Sequence, residues 1–272
     1  MRIVILVYES NEANHIVHRL VTGFPSSIAA LVTSRGEGSR SRVGSTVKRL
    51  VADGGWGFVA PKTAEVIGYQ LLSRWFPQRS VLSPSVERIA RSEGVPVMPI
   101  GNVNSDAGVE ALKELNADLF VSIHFDQILK SRVLALPRLG TLNVHGSLLP
   151  RNRGLFPYFW ALANGDGATG VTIHWIDLGI DTGKIIEQEE TTISPGDTVA
   201  SVARRCSGIG AKLLIDVVRG IEDTGVAPTG VEQHGEGNYV SWPDRASVRR
   251  LRNNGYRYGP LLRQIETPSV DH

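Results

Sequence analysis

What most constrains the fold is a repeated alternation. Short apolar runs recur at Ile3–Val7, Ile28–Val32, Val95–Pro99, Ala117–Ile123 and Thr141–Val144, and segments with helical spacing lie between several of them. A run that is apolar at nearly every position suits a strand covered on both faces. Ala13, Ile16, Val17, Leu20 and Val21 fall at helical spacing, as do Val109, Leu112 and Leu115 after Ser105. Ser83 or Ser85 is placed to cap a further helix ending near Gly94. Strand, helix, strand repetition predicts an α/β fold with a doubly wound, mostly parallel sheet.

The second half changes pattern. From Gly170 to Ile176 the chain alternates, with Val171, Ile173 and Trp175 on one face and Thr172, His174 and Ile176 on the other. Lys184–Glu190 reads as a strand returning in a hairpin. The strongest helical stripe follows, through Val199, Val202, Ala203, Cys206, Ile209, Leu213, Leu214 and Val217. Cys206, the only cysteine, lies on that stripe and reads as a core thiol. Between Ser34 and Val81 the pattern weakens. Arg35–Arg42 reads as a polar surface loop and Lys62–Trp75 as a helix. Tyr239–Trp242 reads as an edge strand. Arg245, Arg249, Arg250 and Arg252 fall on a short basic helix with a solvated face.

Several classes are set aside. A single cysteine excludes an internal disulfide and a thiolate zinc site. The +2 balance of 29 basic and 27 acidic side chains argues against a dedicated nucleic-acid binder. The apolar run after Met1 is too short for a signal core or a membrane span, so the expectation is a cytoplasmic protein without membrane contact. The turn after the first run, from Tyr8 to Asn14, contains no glycine, which argues against a dinucleotide or ATP loop there.

Chemistry concentrates between Thr141 and Gly183. Asn143 and His145 are two apart at the end of an apolar run, so on a strand they share a face. Asp181 comes later, in the turn-like GIDTG. An amide donor, a titratable ring and a carboxylate suit attack on a carbonyl. Taken singly, a strand-end Asn-x-His is usually structural, and an Asp-Thr-Gly turn can bind its own backbone. His124, Asp126 and Gln127 follow the Ala117–Ile123 run, at the strand end where ligands bind in such sheets; the alternative for His124 is a local backbone contact.

NVHGSLLPRNRG, FWALANGD and GVTIHWIDLGIDTG, in that order and spacing, make the chain resemble the folate-dependent formyltransferases. These include the glycinamide ribonucleotide, methionyl-tRNA and sugar N-formyltransferases. The resemblance covers about residues 118–199 and implies the formyltransferase version of the fold. It also implies that Asn143, His145 and Asp181 are catalytic, that Ser147 supports them, and that 10-formyltetrahydrofolate is the donor, with no metal. The pterin would then lie against Phe125, Asp126, Gln127, Ile128 and Leu129 on one loop and Ile176, Asp177, Leu178, Gly179 and Ile180 on another. In that chemistry Asn143 and a protonated His145 would donate to the formyl oxygen, and Asp181 would favour the imidazolium and accept the amine's proton.

Residues 1–235 are expected to form the catalytic domain, with 236–272 an extension and not an independent domain. From the resemblance, a C-terminal barrel as in the tRNA enzymes is not expected, which disfavours tRNA, and the missing glycine loop disfavours glycinamide ribonucleotide. The expected acceptor is a small-molecule amine, first a nucleotide-linked amino sugar, then an amino-acid-type or specialised-metabolite amine, then a methionyl-tRNA-like acceptor. The resemblance is compatible with a homodimer. Two other classes remain: a non-catalytic folate- or nucleotide-binding protein, and an RNA-interacting protein that uses the arginines after Arg245.

Overall fold

The computed structural model describes residues 1–34 and 85–259. The expected loop at Arg35–Arg42 and helix at Lys62–Trp75 lie outside these. In chain order the elements are β1 (Ile3–Val7), α1 (Asn11–Gly23), β2 (Ile28–Thr33), α2 (Val86–Ser92), β3 (Val97–Pro99), α3 (Asp106–Glu114), β4 (Leu119–Ile123), α4 (Ser131–Leu134) and β5 (Thr141–His145). Then come β6 (Arg153–Gly154), α5 (Pro157–Asn164), β7 (Ala168–Trp175), β8 (Ile185–Thr192), α6 (Val199–Thr224), β9 (Tyr239–Val240) and α7 (Arg245–Asn253).

Seven strands form one sheet in the order β3-β2-β1-β4-β5-β7-β8. The first five are parallel; β7 runs antiparallel to β5, and β8 to β7. Every residue of β1 and β4 is buried, as their unbroken apolar runs require. The helix starts are set locally, since Ser10, Ser85 and Ser105 each accept a first-turn N–H through the side-chain oxygen. Among the described residues, no helix is long and apolar enough to cross a membrane.

The two faces of the sheet differ. Leu142 and Val144 face a large core built with α1, α5 and α6. Helix α6 lies close on this face at Gly210, where an added Cβ would press on Val144 and Val171. Cys206 is buried there, and burial pushes its thiol up to about 12. On the other face a smaller cluster gathers Val4, Leu6, Val32, Phe120, Leu112 and Val133. Beyond Phe120 that face becomes polar, and the site lies there.

Residues 236–259 pack into the same body. β9 pairs with β6, Val248 and Leu251 of α7 join the large core, and Asn254 Nδ2 donates to Leu162 O and Ala163 O at the end of α5. The arginines of α7 are exposed, and Arg250 lies over the Trp160 ring at 5.9 Å.

Candidate active site

Strand register builds most of the site. On β5, Asn143 and His145 project from the face opposite Leu142 and Val144, as their spacing predicts. The antiparallel neighbour then sets His174 opposite Asn143 and Thr172 opposite His145. Asp181 returns from the 176–183 turn with a left-handed φ of +54°. Its Oδ1 accepts from Asn143 Nδ2 at 3.4 Å and lies 3.6 Å from His174 Nε2. Its Oδ2 accepts from the Gly154 N–H at 2.8 Å and lies 3.5 Å from His145 Nδ1. The amide, imidazole and carboxylate singled out from the sequence therefore meet. His174 joins them, a residue the alternation of β7 placed on a face but gave no role.

Both rings have one nitrogen tied to a carbonyl oxygen, which can only accept. His145 Nε2 donates to Asn152 O at 2.9 Å, and His174 Nδ1 donates to Trp175 O at 2.8 Å. The remaining nitrogens, His145 Nδ1 and His174 Nε2, face Asp181. His174 Nε2 also accepts from Asn143 Nδ2 at 3.1 Å. The expected donation from His145 to a formyl oxygen thus has no free ring N–H in this arrangement. The expected imidazolium has burial against it. Burial, the largest influence, holds the His145 ring below its ordinary value; Asp181 pulls it up, and His174 adds to the lowering. For Asp181, burial acts most strongly and opposes ionisation. The two histidines and the Gly154 N–H outweigh it, so the carboxyl sits well below the usual carboxylate range.

These shifts give a pH prediction. Below the ordinary imidazole value of 6.5 an unfolded His145 takes a proton more readily than the folded one, so stability falls as pH drops through that value. Asp181 contributes stability above the ordinary carboxylate value of 3.8, and this is lost on further acidification. Thermal melts are expected to fall in two stages on acidification, and His145→Gln is expected to flatten the first.

The supporting loop is tightly bonded. Ser147 Oγ donates to Arg151 O at 2.6 Å, and Ser147 O accepts from Thr172 Oγ1 at 2.7 Å. Leu149–Pro150 is a cis peptide. Gly183 packs against Trp175 O, the oxygen that holds His174, and an added Cβ would overlap it. Gly183→Ala is therefore expected to destabilise the domain by about 1–3 kcal/mol, read by denaturant melts.

The two loops expected to flank a pterin each send residues to the smaller apolar cluster. Phe125, Leu129 and Ile176 pack on one apolar cluster, while Ile128, Leu178 and Ile180 are 66, 73 and 41 % exposed. Asp126 is exposed. Asp177 is taken up locally, accepting from Gly179 N at 3.0 Å and Thr182 Oγ1 at 2.6 Å. Gln127, expected to touch a ligand, ties backbone. Its Oε1 accepts from Val103 N, and its Nε2 donates to Ile100 O and Gly101 O. His124 Nδ1 meets Ser10 Oγ at 3.1 Å.

Fold and site define a doubly wound α/β domain whose polar sheet face carries an amide–imidazole–carboxylate centre. Residues 85–218 match the formyl transferase family model, and this segment is similar to that family. The methionyl-tRNA formyltransferase of Kosmotoga olearia is 38% identical over 162 residues, 60% of this chain and 52% of that protein. That of Syntrophus aciditrophicus is 42% identical over 144 residues, 53% and 46% of the two chains. The chain thus spans about half the length of these relatives.

Solved structures share the fold. A Helicobacter canadensis N-formyltransferase, solved with folinic acid and dTDP-3-aminofucose, superposes with a TM-score of 0.59 at 20% identity, covering 89% of this chain and 71% of that one. Glycinamide ribonucleotide transformylase 1 of Symbiobacterium toebii gives 0.58 at 19% identity, covering 90% and 94%.

Proposed function

We propose that this domain transfers a formyl group from 10-formyltetrahydrofolate to the amine of a small molecule, with a nucleotide-linked amino sugar as the first acceptor to test. The convergence of Asn143, His145 and Asp181 on one sheet face of a formyl transferase domain carries the reading. The complex of the Helicobacter canadensis enzyme with folinic acid and dTDP-3-aminofucose supports the donor and acceptor classes. The residues present fit a flat ring. Phe125, Leu129 and Ile176 pack on one apolar cluster, and Ile128, Leu178 and Ile180 are exposed for a ring to cover.

The donor supplies a formyl carbon; the new C–N bond to the amine forms as the bond to the folate nitrogen breaks, and that nitrogen keeps the electron pair and takes up a proton. Asn143 Nδ2 is the donor the chain can turn towards a carbonyl oxygen that gains negative charge. Asp181, ionised and anchored by the Gly154 N–H, can accept the proton the attacking amine loses. His145 Nδ1, 3.5 Å from Asp181 Oδ2, is placed to share that proton, which gives the ring a role it can fill while neutral.

A second reading, formylation of methionyl-tRNA, is supported by the identity of 38 and 42% to those enzymes. Mass spectrometry separates the two. Purified protein is incubated with 10-formyltetrahydrofolate, a panel of nucleotide-linked amino sugars and small amines, and charged initiator tRNA. The expected result is a gain of one carbon monoxide unit on an amino sugar. Formylation of the tRNA alone would establish the second reading, and no formylated product would overturn both.

A further inference from the structure

Asp181 lies in a turn, where no ladder of backbone hydrogen bonds holds it. Its left-handed φ of +54° is unusual for a residue with a side chain and persists only where the surroundings enforce it. Gln233, half-buried in the segment after α6, supplies much of that enforcement. Its Nε2 donates to Asp181 O and Gly183 O, both at 2.8 Å, bracketing the catalytic turn. Its Oε1 accepts from Arg153 Nε at 3.2 Å and Nη2 at 2.7 Å. Both amide donors and the acceptor are thus engaged. Arg153 precedes Gly154, whose N–H holds Asp181 Oδ2. One side chain therefore joins the turn that carries the carboxylate to the loop that orients it.

Asn238 makes a parallel joint. Its Oδ1 accepts from Asn152 N at 2.7 Å and its Nδ2 donates to Asn152 Oδ1 at 3.2 Å. Asn152 O is the acceptor that fixes the His145 ring. β9 continues the contact by pairing with β6.

We propose that Gln233 is a positioning residue, whose amide clamps the Asp181 turn against the Arg153–Gly154 loop and so fixes the carboxylate relative to His145. Its consequence for rate rests on the formyl-transfer reading; its consequence for geometry does not. Misplacing a reacting group by about 1 Å costs on the order of 10²-fold in rate. A side chain that only filled space would be replaced without loss by an apolar one of the same length.

The test uses two variants of the full chain. Gln233→Met keeps the length and removes every hydrogen bond. Gln233→Glu keeps the acceptor for Arg153 but points a carboxylate at two carbonyl oxygens. Both are expected to lower kcat by roughly 10- to 100-fold, with KM for donor and amine within about threefold of wild type. Both are also expected to move the NMR titration midpoint of His145, since Asp181, His174 and Asn152 O are the polar groups facing that ring.

Wild-type kcat with an unmoved titration overturns the proposal. So does a fall in kcat with an unmoved titration, which a structural role elsewhere would give. If the wild-type protein formylates no amine, the functional reading fails on its own and the titration still decides the clamp. If Gln233→Met does not fold, Gln233→Glu carries the same readouts. Failure of both to fold overturns the proposal in favour of a folding role.

Discussion

Asp181→Asn is expected to lower kcat by roughly 10²–10⁴-fold, the range of a well-placed proton acceptor, while the domain still folds. The substitution preserves shape but not charge. It also creates a conflict in hydrogen bonding. In the wild type, Oδ2 accepts from the Gly154 N–H and Oδ1 from Asn143 Nδ2. An asparagine has one carbonyl oxygen to offer. If it keeps Gly154, its NH2 meets the NH2 of Asn143; if it turns to Asn143, its NH2 meets the backbone N–H. Either way one donor is displaced. The cost in stability is expected to stay within about 1–3 kcal/mol, the scale of a buried group left unsatisfied. Single-turnover rates and thermal melts on the same preparation separate the two effects. A folded Asp181→Asn enzyme with kcat within tenfold of wild type would remove the carboxylate from the chemistry.

Much of this architecture was legible in the chain, for reasons that can be named. The sheet followed from apolar runs such as Ile3–Val7, because a strand covered on both faces tolerates few polar positions. The shared face of Asn143 and His145 followed from the two-residue period of a strand. What was not legible depends on register and on distant hydrogen bonds. His174 stood on the right face of its own strand, yet only the pairing Asn143↔His174 turns that into a contact. Gln233 and Asn238 have no periodic signature, and they act on residues 50 and 86 positions away. The backbone bonds of Gln127 were not legible, because a polar side chain at a strand end can serve a ligand, a neighbouring loop or both. The backbone that engages it, at Ile100, Gly101 and Val103, belongs to the loop between β3 and α3. The balance of influences on His145 was not legible for a related reason. Sequence shows that an acid is near, but not how deeply the ring is buried, and burial is the larger influence here.

Asn143→Ala is expected to reduce kcat by roughly 10²–10³-fold, the usual consequence of losing one donor to a developing oxyanion. The amide is held before any reaction begins, with Nδ2 shared between His174 Nε2 at 3.1 Å and Asp181 Oδ1 at 3.4 Å. His174 is in turn fixed by Trp175 O, so the amide sits against a rigid frame, and facing a new acceptor means exchanging one of its two bonds, the longer being that to Asp181. Because the same NH2 touches the carboxylate, Asn143 and Asp181 should act as one unit. The double variant Asn143→Ala/Asp181→Asn is therefore expected to lose much less than the product of the two single losses. Rates that multiply would mean the amide and the carboxylate serve separate steps. Their contact across the polar sheet face would then be structural, and the proton acceptor would have to be sought at His145 instead.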